Sequence, residues 1–335
     1  MGIVVKAFIV LAQYTILNNW FLALLIPIVI FKMVSDRRRK SLDTNGRLDG
    51  KTYIVTGCNK GVGLHTAVEL SKRGARVLMA CKNLGSAHLV KNAIARYTNN
   101  DDIEVYRLDL SSFWSVRQFA KDVIENEGRI DGIIFNAGIG IIKNKLTKDG
   151  LPLVWQVNHL SPLMIVQLLG GFLKKAESAQ IIFVSSVFHH FDRLDVDNLQ
   201  AENGRWPSTI FCNTKLANIM TSMYLAKKLK DTGITVNCVN PGLVNTQILR
   251  RFKSNIVQSV IEFLLEQFGK PEVDGAATTL TVALNPALKS VTGKYFSNCQ
   301  ESHCLSSKAK DLKLAERLWE NSNKLLGLHP DEKMI

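Results

Sequence analysis

The sequence predicts a doubly wound α/β fold: one parallel sheet of short strands with helices on both faces, carried behind an N-terminal hydrophobic segment. Three observations lead there. Short apolar runs alternate with helical stretches from near residue 50 to the C-terminus, the pattern of successive βα units. A glycine-rich turn, Thr56-Gly57-Cys58-Asn59-Lys60-Gly61-Val62-Gly63, follows the first apolar run and opens the first helix. Ala7 to Phe31 is largely apolar and is followed by the basic cluster Arg37-Arg38-Arg39-Lys40.

Taken in order, Tyr53-Ile54-Val55 is a first strand, and the glycine turn leads into a helix near Leu64 to Arg73 that Gly74 ends. Arg76 to Cys81 is a second strand and Leu84 to Tyr97 a second helix. Ile103 to Asp109 reads as a third strand, after which Ser111 or Ser112 caps a helix with Val116, Phe119 and Val123 on one face. Ile133 to Phe135 is a fourth strand, ending at Asn136-Ala137-Gly138. A helix around Trp155 to Leu169, a strand Ile181 to Val184, a helix Phe211 to Lys230 and a strand Thr235 to Val239 continue the alternation. A last strand near Tyr295-Phe296 and an amphipathic helix Leu312 to Leu326 complete it. The chain divides into an anchor over 1–34, a polar basic linker over 35–49 and a single domain over 50–330, with no internal repeat.

As a helix, the 25 residues from Ala7 to Phe31, at about 1.5 Å each, span roughly 37 Å, enough to cross a bilayer with some tilt. Gln13, Asn18, Asn19 and Pro27 weaken its middle and keep an interfacial helix as the alternative. Only Lys6 precedes the segment, whereas Lys32 and Arg37 to Lys40 follow it, so the positive-inside bias puts the main domain on the cytosolic side. The hydrophobic content of 46% excludes wholesale disorder. The net charge of +13 raises nucleic acid as a partner, but no basic stripe interleaved with aromatics exists, and the densest basic cluster flanks the apolar segment. The expectation is therefore a membrane and no nucleic acid. Six cysteines are scattered without framework spacing and read as reduced, mostly buried thiols. Cys299, His303 and Cys304 lack an obvious fourth ligand, so no metal is expected.

The glycines at 57, 61 and 63 lie between a strand and a helix, the context in which a glycine turn and helix N-terminus cradle a dinucleotide pyrophosphate, as in a Rossmann-type domain. Dinucleotide choice is made after the second strand, where an NAD site usually has an acid for the ribose hydroxyls. Here the strand ends Ala80-Cys81-Lys82-Asn83, and Lys82 with Lys60 could neutralise a 2′-phosphate. NADP(H) is thus expected in preference to NAD(H).

Thr56-Gly57 through Gly63, Asp109-Leu110, Asn136-Ala137-Gly138, Asn158, Ser186, Lys215 and Pro241-Gly242 together resemble the short-chain dehydrogenase/reductase family in order and spacing. Val157-Asn158-His159-Leu160, Val184-Ser185-Ser186-Val187, Lys215-Leu216-Ala217-Asn218 and Gly293-Lys294-Tyr295-Phe296-Ser297 are similar to its retinol dehydrogenase subgroup. The resemblance implies that Gly57, Asn59, Lys60, Gly61, Val62 and Gly63 bind the dinucleotide, with Lys82, Asp109 and Leu110 toward the adenine end. It implies that Asn136, Ala137 and Gly138 line the cofactor cleft, with Pro241, Gly242 and Thr246 near the nicotinamide. Ser186 would hydrogen-bond the substrate oxygen, Lys215 would hold the nicotinamide ribose, and Asn158 would support a proton-relay water. It also implies anchoring in the endoplasmic reticulum membrane with the domain facing the cytosol.

The departures gather at one place. Phe211 stands where the family has its catalytic tyrosine, Phe135 replaces the first asparagine of Asn-Asn-Ala-Gly, and Ser161-Pro162 replaces Gly-His, where the proline can perturb the helix bearing Asn158. Reducing a carbonyl needs a hydrogen-bond donor and a proton source; Ser186 could be the first, and Phe211 cannot be the second. His189 and His190 titrate in the right range, with a structural or substrate-loop role as their better reading, and Tyr224 lies more than three turns along the helix. Residues 243–275 would form a substrate lid, whose apolar Ile248, Leu249, Phe252, Ile256, Val260, Phe263 and Leu264 suit an apolar ligand, the core or the membrane equally. Two readings stand: an anchored NADP(H) oxidoreductase of a small lipophilic alcohol or carbonyl, retinoid- or steroid-like, or a catalytically silent NADP(H)-binding relative working as a sensor or interaction partner. Oligomerisation stays open.

Overall fold

A computed structural model describes residues 45–142, 145–199, 207–245 and 269–332. The expected anchor, the linker up to residue 44, Thr246 and lid positions 246–268 lie outside the described residues. No helix among the described residues is long and apolar enough to cross a membrane.

Among these residues eight strands form one sheet. β1 (Thr52–Thr56), β2 (Arg76–Cys81), β3 (Ile103–Arg107), β4 (Gly132–Phe135), β5 (Ala179–Val184), β6 (Ile234–Asn240) and β7 (Tyr295–Ser297) run parallel in the order β3-β2-β1-β4-β5-β6-β7. A two-residue antiparallel β8 (Gln300–Glu301), absent from the sequence expectation, closes the edge. The central strands β1 and β4 are buried at every residue rather than at every second one, as a sheet covered on both faces requires. Successive residues still go to opposite sides. Ile54 pairs with Leu78 and Ile133 and joins the core holding Phe119, Trp155 and Leu216. Its neighbour Val55 pairs with Met79 and Ile134 and joins the core holding Leu70, Ile94 and Leu280. Each such fully buried side chain contributes roughly 1.5–3 kcal/mol, so the two cores set the register of the whole sheet.

Three helices face the second core: α1 (Gly61–Lys72), α2 (Leu84–Thr98) and, near the C-terminus, Glu272–Leu284. The first core lies under α3 (Phe113–Asn126), α4 (Leu153 to Leu173) and α5 (Pro207–Lys228). Glu272–Leu284 is α6, and Leu312–Leu326 is α7, an amphipathic helix placing Ala315, Leu318, Trp319, Ser322 and Leu326 inward. Caps explain several boundaries. Asn83 accepts from Ser86 N at 3.0 Å and Asp311 from Leu314 N at 3.0 Å. Ser112, not Ser111, caps α3 by accepting from Ser115 N at 3.4 Å, while Ser111 Oγ turns back to donate to Asp109 at 2.6 Å.

Four boundaries differ from the sequence reading. β3 stops at Arg107, two residues early, because Asp109 N leaves the ladder to take Ser115 Oγ at 3.0 Å. α5 starts at Pro207, a residue suited to a first helical turn, and ends at Lys228. The expected lid overlaps α6, whose acids Glu272 and Asp274 favour a helix N-terminus; the end of the segment is instead pinned by a bridge between Val244 and Lys270. α4 is longer than expected and not regular: Leu153–Trp155 passes through a π-helical stretch, Gln156–Leu160, into Ser161–Leu173. Pro162 has no N–H to offer the carbonyl of Asn158 one turn earlier, and the side chain of Asn218 donates to that carbonyl at 3.1 Å instead.

At the amino ends of the strands, Asp131 fastens β1 to β4. Its carboxylate accepts from Thr52 N at 2.9 Å and from Lys51 Nζ at 3.0 Å, with Arg129 Nε at 2.9 Å. Burial works against the charge, but these donors hold the carboxyl below the usual aspartate range. A depressed folded-state pKa stabilises above the unfolded pKa and ceases to do so as pH falls through the folded one. Asp131→Ala is therefore expected to lower the unfolding free energy by roughly 1–3 kcal/mol at pH 7 in urea titrations, with the difference shrinking below about pH 4. A deficit that does not change with pH would refute the charge as its origin.

Candidate active site

The strand order reverses between β1 and β4, which opens a crevice at their carboxyl ends. Gly57 leaves β1 in a left-handed conformation, φ +64°, and its N–H still reaches Ala80 O at 2.8 Å. Gly63 sits in the first turn of α1 so close to its neighbours that a Cβ there would lie 2.3 Å from Asn136 Nδ2 and 2.8 Å from Gly57 O. Asn136 Nδ2 donates to Thr56 O at 3.2 Å, and Thr56 Oγ1 accepts from Ala137 N at 2.9 Å, so the ends of β1 and β4 are laced together under the turn. The extended Lys60 precedes α1 without a side-chain cap, whereas Asn83, Ser112 and Asp311 cap α2, α3 and α7, and no acid stands in the first turn of α1. The opening amides of α1 are thereby left to an anion. Glu272 approaches from the side, with Oε1 3.6 Å from the Cβ position of Gly61.

Toward the second strand, Asn59 Nδ2 donates to Ser86 Oγ at 2.8 Å and ties the glycine turn to α2. Lys82 is exposed beyond β2, but its ammonium pairs with Asp109 at 2.9 Å. Burial opposes the charge of Asp109, and Ser111 and Lys82 hold its carboxyl below the usual range. Val62 lines the cleft. Leu110 does not face it: its side chain enters the core beside Phe113, and its carbonyl accepts from Ser161 Oγ at 2.7 Å.

The crevice continues into a cleft lined by Asn136 and Gly138 from the end of β4, Ser185 and Ser186 from the end of β5, Phe211 and Lys215 from α5, and Pro241 to Val244 after β6. Lys215 Nζ donates to Val184 O at 3.1 Å and stands 5.5 Å from the Phe211 ring centroid. Burial drives its pKa down to about 8, against a smaller opposing effect of the Cys238 thiol. Ser185 Oγ donates to Lys215 O at 2.7 Å and clips α5 to β5. Ser186 begins a 3₁₀ turn, Val187–Phe191, its Oγ facing Phe188 N at 3.4 Å. Phe211 is buried, edge-on to Phe188 at 6.0 Å, and presents no polar atom to the cleft.

Asn158 is held on every side: Oδ1 accepts from Ile139 N at 2.8 Å, and Nδ2 donates to Ile139 O at 2.9 Å and Thr214 Oγ1 at 3.2 Å. Behind it, Asn218 offers Oδ1 to His159 Nδ1 at 3.3 Å, so His159 carries its proton on Nδ1 and accepts from Ser322 Oγ of α7 through Nε2 at 3.0 Å. Complete burial lowers the His159 pKa to about 4, which keeps the ring neutral. His189 is also buried; Nδ1 donates to Ser186 O at 2.7 Å and the ring meets Tyr295 edge-on. His190 Nε2 lies 3.7 Å from Cys304 Sγ, and Tyr224 donates to Glu316 of α7, so none of the three lines the cleft. Among the described residues no cluster could hold a metal ion, Cys299, His303 and Cys304 included. The sequence reading gave no role to Val184, Ile139, Thr214, Phe188 or Asn218. Only Asn218 carried a signal, three residues after Lys215 on the same helix.

The sequence model of the short chain dehydrogenase family matches residues 51–256. Mouse retinol dehydrogenase 11 is 36% identical over 321 residues, covering 93% of this chain and 99% of that protein. Bovine retinol dehydrogenase 12 is also 36% identical, over 85% of this chain and 89% of its own length. In structure, an uncharacterized protein from Mycobacterium paratuberculosis superimposes with a TM-score of 0.67 at 26% identity, covering 85% of this chain and 96% of the other.

The space above Gly63 gives a direct test of the crevice. Gly63→Ala must push the Asn136 amide or the Gly57 carbonyl aside. It is expected to weaken binding of a nicotinamide dinucleotide at least about tenfold in fluorescence titration, that is by ~1.4 kcal/mol or more. Unchanged affinity would place the dinucleotide elsewhere.

Proposed function

The chain belongs to the short chain dehydrogenase family, and on that premise we propose that it is a membrane-anchored NADP(H)-dependent oxidoreductase of a small, lipophilic, retinoid- or steroid-like alcohol or carbonyl. The observation that carries this reading is convergence: Ser186 and Lys215 come from different elements to one cleft that continues the glycine crevice. The residues present fit a dinucleotide. Gly63 leaves no room for a side chain between the turn and Asn136, and α1 opens uncapped and without acids. A bound nicotinamide would supply or take the hydride; Ser186 would orient the substrate oxygen by its hydroxyl, and Lys215 would hold the nicotinamide ribose.

The preference for NADP(H) rests on Lys60 and Lys82 and on the lack of an acid at the end of β2, where Cys81 and Lys82 stand. A 2′-phosphate would compete with Asp109 for Lys82. A lipophilic substrate is supported by the apolar lining from Val62, Val184, Val187, Phe188, Phe211, Leu243 and Val244, and by the names of the two retinol dehydrogenases. Anchoring is supported by the apolar run Ala7 to Phe31 and the basic cluster after it, and we place the domain on the cytosolic face of the endoplasmic reticulum.

Phe211 favours a second reading, a silent NADP(H)-binding sensor or interaction partner, because a buried phenyl packed on Phe188 has no proton to give. The two readings part on measurement. The purified protein is expected to bind NADPH and to reduce members of a retinoid and steroid carbonyl panel slowly, and Phe211→Tyr to raise the rate about 10²-fold or more. NADPH binding with no turnover by wild type would establish the silent reading; activity from none in Phe211→Tyr would then show that the rest of the site is intact. Lys82→Ala is expected to raise the NADPH dissociation constant by about tenfold and leave that for NADH within twofold. Equal losses for both would remove the argument for NADP(H).

A further inference from the structure

We propose that Lys215 itself is the proton donor and acceptor of this site, taking the place left by the tyrosine that Phe211 replaces. The inference rests on the oxidoreductase reading and deepens it. Of the described side chains lining the cleft, only Asn136, Ser185, Ser186 and Lys215 carry polar atoms. An amide does not ionise and a serine hydroxyl holds its proton at neutral pH, so Lys215 is the one group among them that exchanges a proton in the working range. Ser185 is further committed, its hydroxyl donating to the Lys215 carbonyl at 2.7 Å. The histidines that could have substituted face away: His189 is fastened to Ser186 O and lies against Tyr295, and His190 lies against Cys304.

The lysine is placed for the task. Its Nζ lies 5.5 Å from the Phe211 ring centroid and 3.8 Å from the Cβ position of Gly138, on the cleft side of α5. Val184 O takes one of its three N–H groups. A phenyl ring ends one oxygen short of a phenol, so the proton would pass from Nζ to the substrate oxygen directly or through a relaying water. The charged and titratable neighbours do not hold the ammonium in place. Among the described residues, the one titratable group acting on it is the Cys238 thiol of β6, whose own pKa burial raises to about 12. No described carboxylate acts on Lys215, and burial lowers its pKa to about 8, close to the optimum for a general acid near neutrality.

The step balances. As hydride reaches the carbonyl carbon, the C=O π bond breaks, a C–H bond forms, and the carbonyl oxygen takes a proton from the Lys215 ammonium. The neutral amine regains a proton from solvent, so the net change is one carbonyl, one NADPH and one proton to one alcohol and one NADP⁺. In oxidation the neutral amine accepts the alcohol proton.

The test uses the full-length protein in detergent with NADPH and retinaldehyde, together with the wider retinoid and steroid carbonyl panel. Reduction by wild type is expected to be flat below about pH 8 and to fall about tenfold per pH unit above it, with oxidation rising through the same pH. Lys215→Arg keeps a cation for the ribose but releases no proton, so kcat should fall roughly 100-fold or more while NADPH affinity stays within about threefold. Because a phenol at 211 would supply the proton itself, Phe211→Tyr should make kcat at least about tenfold less sensitive to Lys215→Arg, whereas a purely structural role for the lysine would cost both backgrounds equally. Independently of turnover, reductive ¹³C-methylation of Lys215 followed by NMR should show it titrating near pH 8 in the cofactor-free protein. Turnover that survives Lys215→Arg, or a Lys215 amine that titrates above pH 10, overturns the lysine's role and leaves the oxidoreductase reading standing. Wild type that binds NADPH and turns nothing over overturns that reading, and the lysine's role with it.

Discussion

A parallel sheet buried on both faces leaves its strand ends as the places where backbone and side chains can meet a ligand, and this constraint organises the molecule. The middles of the central strands go to the two cores: Ile54, Leu78 and Ile133 on one side, Val55, Met79 and Ile134 on the other. Polar chemistry is pushed to the edges. The amino edge carries the Asp131 clasp, which holds β1 beside β4. The carboxyl edge carries Gly57, Asn136, Ser186 and Pro241, and the reversal of strand order keeps the loops there from covering it.

Behind that edge stands a polar frame that is almost fully paired. Ser322 hands a hydrogen bond to His159, His159 to Asn218, Asn218 to the Asn158 carbonyl, and the Asn158 side chain to Ile139 and Thr214. Each side chain of the series donates onward from α7 toward the cleft, and Ile139 N returns one hydrogen bond to Asn158 Oδ1. A buried network of this kind is costly when broken at one member and rigid when complete. None of its members depends on what residue 211 carries, since Thr214 bonds only the backbone oxygen of Phe211, at 2.7 Å. The frame therefore does not rest on the side chain at position 211.

Much of this was legible in the sequence. The strand Arg76–Cys81 and the helix Leu312–Leu326 have the bounds that periodicity and caps imply, because Gly74, Asp311 and Gly327 punctuate them locally. The glycine turn was legible for the same reason. What escaped depends on contacts between distant segments. The pairing of Lys82 with Asp109 joins the ends of β2 and β3, and the inward turn of Leu110 follows from the packing of α3 and α4. Nor could the sequence decide whether His189 or His190 reaches the site, since both follow Ser186 closely and only packing shows that neither lines the cleft. Pro162 announced a disturbance, but its form, a widened turn rather than a break, is set by the Asn218 amide that a neighbouring helix brings to the Asn158 carbonyl.

That widened turn fixes an angular phase. A residue of α-helix advances about 100° around the axis, and a π-helical turn takes up about one residue more than a regular one. The part of α4 from Ser161 onward is thus rotated by about one residue relative to Leu153–Trp155, compared with an unbroken helix. With this offset, Trp155 and Leu163 both reach the core, while Asn158 and Ser161 turn to Ile139 and Leu110. The irregularity works as a gear tooth that lets one rod mesh with a hydrophobic layer at one end and a polar cleft at its middle.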